Sequence, residues 1–145
     1  MQIRPLLQEA QAYTADYKVI PVSCELYADC LTPLEALRKL RNVSRHCFIL
    51  ESVEDRKQWG RYTFLGYDPQ LEVTCTDGKM TLSGRSHLTL PVQHPKTVLR
   101  QILADNKSPR LDYLPIFTGG LVGYFAYDYF KYAEPTLRLD AMDTE

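Results

Sequence analysis

Apolar positions change their spacing several times along the chain, and each spacing predicts a different element. Over residues 4–13, "RPLLQEAQAY", Leu6, Leu7, Ala10 and Tyr13 share one side of a short amphipathic helix. "YKVIPVSCEL" is rich in β-branched residues but is broken by Pro21, which predicts an edge strand. "LTPLEALRKLR" then returns to helical spacing, with Leu34, Leu37 and Leu40 as its buried face. Thr32 at the N-cap, Pro33 behind it and Glu35 three residues on form a capping box. Arg38, Lys39 and Arg41 suit the negative end of that helix.

"CFILES" and "RYTFLGY" read as two buried strands. "QLEVTCTDGKMTLSG" is the clearest hairpin in the chain. Leu71, Val73 and Cys75 alternate inward, Asp77-Gly78 supplies the positive φ of a two-residue turn, and Met80 and Leu82 return. "HLTLPV" adds a short strand, and "PKTVLRQILADN" a helix with Val98, Leu99, Ile102 and Leu103 on its apolar face. "KSPRLDYLP" is a loop. "IFTGGLVGYFAYDYFKYAEP" opens as a glycine-rich buried strand and turns helical near Asp128 to Tyr132. Hairpins and separate helices, without a βαβ rhythm, predict an α+β domain: an antiparallel β-sheet with a few flanking helices.

The 145 residues are enough for one domain with a real core. A net charge of -1 gives no electrostatic case for nucleic acid or an anionic membrane surface. The N-terminus lacks a signal-peptide core, and no apolar run is long enough to span a membrane. Cys24, Cys30, Cys47 and Cys75 show no CxxC pair. They read as reduced, mostly buried thiols in a cytoplasmic protein. "TLRLDAMDTE" carries no strand, cap or tail signal, so the chain is expected to be a piece of something longer.

Most candidate chemistry reduces to ordinary structure. Gly119, Gly120 and Gly123 form GGxxG, not a phosphate-cradling motif, and fit a strand needing bare backbone. His46, His87 and His94 lack ligand spacing, and Asp140 with Asp143 reads as a solvated pair. No Ser, His and Asp set has an elbow or oxyanion context. Glu51-Ser52, at a strand end, is open to two readings. One is a solvent-facing turn. The other is a small-molecule pocket: the carboxylate holds an ammonium, the hydroxyl a carboxylate or amide, and Arg61 returns a positive charge. That set suits a zwitterionic amino acid, with Tyr62 or Phe64 lining an apolar slot.

Three blocks then point to one family. "FILESVEDRKQWGRYTFLGYDP" resembles the LLES…WGRYSFIG stretch of anthranilate synthase component I. "VIPVSCELYADCLTPLEALRKL" is similar to that family's Ile-Pro-Val strand and Asp-x-x-Thr-Pro helix start, and "GGLVGYFAYDYFKYAEP" to its GGxVGYxxYDxxRYxE segment. The resemblance implies that residues 1–145 are the amino-terminal regulatory domain of a larger, two-layered chorismate-binding enzyme. The parent would convert chorismate and ammonia to anthranilate and pyruvate, using Mg²⁺ held outside this chain and a glutamine amidotransferase partner. This chain alone is expected to be inactive, and to self-associate through surface left bare by the absent catalytic domain. The resemblance also implies an L-tryptophan inhibitor site at Leu50, Glu51 and Ser52, with Arg61 as its basic residue. The folate enzyme aminodeoxychorismate synthase and a free-standing ligand-binding module are the alternative readings.

Overall fold

A computed structural model describes residues 2–51, 62–134 and 136. Ser52, Trp59, Arg61, Asp140 and Asp143 lie outside the described residues. The chain divides into two compact units, one built from 1–26, 74–81 and 89–145 and the other from 27–73 and 82–88.

In the first unit, strands β1 (Ile3–Arg4) and β2 (Ser23–Cys24) pair antiparallel. The Ser23 hydroxyl donates to the Arg4 carbonyl at 3.3 Å across that pair. The expected edge strand thus shrinks to two residues, beginning beyond Pro21, which has no N–H to give a ladder. Helix α1 (Leu7–Tyr13) starts later than its apolar pattern suggests. Leu6 cannot cap it with a side chain; instead the Leu6 N–H donates to the Glu9 carboxylate at 2.9 Å. Helix α3 (Pro95–Asp105) begins on Pro95 and ends where the Asn106 amide donates to the Ile102 carbonyl at 2.8 Å. Its half-buried side is Val98, Leu99 and Ile102, whereas Leu103 is exposed.

In the second unit, helix α2 (Pro33–Leu40) carries the expected capping box. The Glu35 N–H donates to Thr32 Oγ1 at 3.3 Å, and the Thr32 N–H to Glu35 Oε2 at 3.1 Å. These Thr32 bonds, backbone first, hold the Glu35 carboxyl below its ordinary pKa. Helix α2 packs on strands β3 (Cys47–Glu51) and β4 (Thr63–Tyr67) through Ala36, Leu37 and Leu40; Leu34 is exposed, against expectation. The β3–β4 pairing is antiparallel, with Phe48 opposite Gly66 and Leu50 opposite Phe64. The Phe48 ring occupies the space that a Cβ on residue 66 would need, which accounts for glycine there.

Strands β5 (Glu72–Thr76), β6 (Lys79–Ser83) and β7 (His87–Pro91) form a three-stranded meander. Asp77 and Gly78 take φ of 48° and 70°, the left-handed pair that a tight hairpin turn requires. Cross-strand partners follow one register: Val92 N–H to Gly78 carbonyl at 2.7 Å, Thr81 to Thr89 hydroxyls at 3.2 Å, and Ser83 Oγ to His87 Nδ1 at 3.0 Å. Met80, on β6, is only 1% exposed.

The α+β class with antiparallel sheet therefore holds, but three expectations fail. The core is thin: among the described residues, Met80 and Leu111 are buried, together with the prolines Pro5, Pro95 and Pro109. Cys24 and Cys30 are exposed, not buried: Cys24 closes a two-residue strand and Cys30 sits in a turn. The buried strand expected from Ile116 onward is absent. Residues 117–126 belong to no helix or strand, and Gly119 and Gly120 sit at φ of 139° and 143°. The helical ending does appear, as a 3-10 turn (Tyr127–Tyr129) leading into α4 (Phe130–Ala133).

Candidate functional site

The two ends of the β3–β4 ladder differ in how firmly they are tied. At the Cys47/Tyr67 end, Ser44 Oγ accepts the N–H groups of His46 and Asp68, each at 3.2 Å. His46 Nδ1 meets Glu72 Oε1 at 2.7 Å, and the Asp68 N–H also reaches the His46 carbonyl at 3.2 Å. Asp68 takes a positive φ of 51°, which a short Asp side chain tolerates well. This end is a braced corner.

The Glu51/Thr63 end, where the candidate site was expected, is more lightly tied among the described residues. Glu51 is exposed and pairs with Thr63 across the ladder. Thr63 Oγ1 donates to Glu51 Oε1 at 3.4 Å, a long bond. The other carboxylate oxygen has no hydrogen-bond partner among the described residues. An exposed carboxylate so placed has the chemistry to accept from a cationic group.

Strand geometry separates two of the expected site residues. Successive side chains leave a strand on opposite faces, so Leu50 and Glu51 do not share one. Leu50, 46% exposed, lies on the Phe48 and Phe64 face; Glu51 lies with Ile49, Thr63 and Leu65. Tyr62 follows Phe64 by the same alternation, and their rings stack at 5.8 Å with planes 33° apart. The hairpin end thus presents an apolar, aromatic face and a polar face bearing a carboxylate. A ligand touching both Leu50 and Glu51 must straddle the strand end. Ser52 and Arg61 fall outside the described residues, so the geometry bears on neither. Sequence reading missed Thr63, although a hydroxyl residue opposite a strand-end carboxylate is visible once the register is fixed.

Among the described residues no group of three or more His, Cys, Asp or Glu side chains could hold a metal. No described helix is long and apolar enough to cross a membrane.

Comparison with known proteins supplies what geometry cannot. No family model matches the chain, and no solved structure does. Curated proteins do match. The chain is 37% identical over 131 residues to anthranilate synthase component 1 of Acetivibrio thermocellus, which covers 90% of this chain and 26% of that protein. The counterpart of Acinetobacter calcoaceticus is 35% identical, covering 91% and 27%. A probable anthranilate synthase component 1 of Schizosaccharomyces pombe is 34% identical, covering 99% and 27%. The chain thus spans about a quarter of the length of the curated relatives it matches. Over nearly all of its own residues, the chain belongs to the anthranilate synthase component 1 family, as a counterpart of that protein's amino-terminal region.

Proposed function

We propose that this chain is the tryptophan-sensing region of an anthranilate synthase component 1. The parent would be a lyase of tryptophan biosynthesis, turning chorismate and ammonia into anthranilate and pyruvate. Its chorismate and Mg²⁺ residues would lie beyond the quarter matched here, as would its contact with a glutamine amidotransferase. The chain by itself would be inactive and would act by regulation.

The observation that carries this reading is the exposed carboxylate of Glu51 at a strand end, one oxygen of it without a partner among the described residues, with exposed Leu50 and Tyr62 and half-buried Phe64 on the opposite face. Glu51 takes the ligand ammonium by a charge-assisted bond. The indole lies toward the aromatic face. Ser52, next in the chain, supplies a hydroxyl for the ligand's carboxylate, and Arg61 a balancing cation. The ligand spans the strand end, which meets the requirement that Leu50 and Glu51 be reached from opposite faces.

Inhibition is then a coupling between this site and a distant catalytic one. Such couplings typically amount to about 1–3 kcal/mol. Tryptophan must prefer one arrangement of the parent, since equal affinity for both would shift nothing. The test is Ser52→Ala in the polypeptide of full family length. Leaving a ligand group unpaired costs roughly 1–3 kcal/mol, so the inhibitory tryptophan concentration rises about tenfold or more. An unchanged inhibition curve would reject the role of Ser52.

A further inference from the structure

Residues 113–127, "YLPIFTGGLVGYFAY", contain no charged side chain. Apolar and aromatic residues occur at both parities: Phe117, Leu121, Phe125 and Tyr127 on one, Ile116, Val122 and Tyr124 on the other. A strand with one wet face alternates; a strand apolar on both sides is the pattern of one buried on both faces. Such a strand needs a hydrogen-bonded neighbour and a layer above and below.

Among the described residues that setting is incomplete. Ile116 is 65% exposed, Phe125 64%, Tyr124 86% and Tyr127 90%. Residues 118–125 make no backbone–backbone hydrogen bond among the described residues. Nothing lies within 4 Å of where a Cβ would stand on Gly119 or Gly123. So long an exposed apolar stretch marks an interaction site on a soluble protein.

We infer that residues 116–127 form an interior strand of a sheet completed by the part of the parent polypeptide that the relatives carry beyond this region. The inference rests on the family reading above: about three quarters of each relative's length lies outside the match, more than enough to supply flanking strands. The partner's chemistry follows from the segment. It presents open backbone N–H and carbonyl groups and apolar side chains on both of the segment's faces. Recognition is strand addition, in which main-chain bonds give affinity and alternate side chains give register. The run of bare backbone at Gly119, Gly120 and Gly123 lets a neighbouring layer approach closely.

The test is amide hydrogen exchange of residues 119–126, measured on the 145-residue chain and on the polypeptide continued to the relatives' length, without tryptophan or substrate. The expected result is near-unprotected exchange in the short chain and slowing by about a hundredfold or more in the long one. Equal, fast exchange in both would overturn the inference, as would protection in the short chain at every concentration. Protection that grows with short-chain concentration would assign the segment to a second copy and overturn the partner named here. Since neither ligand nor turnover is read, failure here leaves the tryptophan site standing, and failure of that site leaves this result interpretable.

Discussion

The β5–β6–β7 meander and residues 116–127 are built from similar material, and only one of them is a sheet. Both contain β-branched and aliphatic residues, and both contain glycine; only residues 116–127 add aromatic rings. The meander succeeds because its partners are close in sequence. Asp77-Gly78 turns the chain tightly, the register falls into place, and Met80 is covered. Residues 118–125 make no backbone pairing among the described residues, and Ile116, Tyr124, Phe125 and Tyr127 stay largely exposed. Strand propensity reports how well a residue fits a pleated, half-buried surface. It does not create the surface.

That contrast can be broken from its strong side first. Met80→Ala empties the most buried side chain of the described residues, and should cost about 2–5 kcal/mol of stability, read by denaturant midpoint. A much smaller loss would mean that the meander is not the ordered part. Tyr132→Phe is subtler. Tyr132 Oη accepts the Gly78 N–H at 2.9 Å, tying the hairpin turn to α4. Removing that acceptor should cost about 0.5–1.5 kcal/mol, with faster exchange at the Gly78 amide.

A helix end gives a still milder, pH-dependent effect. Glu35 has a folded-state pKa below its unfolded value. Its contribution to α2 is therefore present above the ordinary carboxylate range and is lost as pH falls through the lowered pKa. Helicity followed by circular dichroism should decline over that acid range, and Glu35→Gln, which keeps the reach but cannot titrate, should flatten the decline. The smallest effect belongs to the weak side of the contrast. Val122→Ser in this chain should change stability by less than about 0.5 kcal/mol, because the side chain is already exposed. A loss of several times that size would show that residues 116–127 are packed after all.

Local chemistry was legible in the sequence wherever the partner lay a few residues away. The Thr32–Glu35 capping box and the Asp77-Gly78 turn are both fixed by side chains or φ preferences within four residues. What failed depended on distant surfaces. Leu34 and Leu103 have helical spacing yet face solvent, since periodicity names a face without saying that anything covers it. The β1–β2 pair joins residues about twenty positions apart over two residues each, too short for any pattern to reveal. At the candidate site, the strand end and its carboxylate could be read in advance. That Leu50 and Glu51 face opposite ways follows from the same strand assignment through the alternation of side chains, and the Phe64 and Thr63 register then gives each its neighbours.

Glu51 is the decisive residue. In the polypeptide of full family length, L-tryptophan binding followed by calorimetry should weaken about tenfold or more in Glu51→Gln, the loss of one charge-assisted hydrogen bond. Chorismate-dependent turnover without tryptophan should be unaffected by the same change. Tryptophan affinity that is the same in both proteins would contradict the placement of the ammonium site at this strand end.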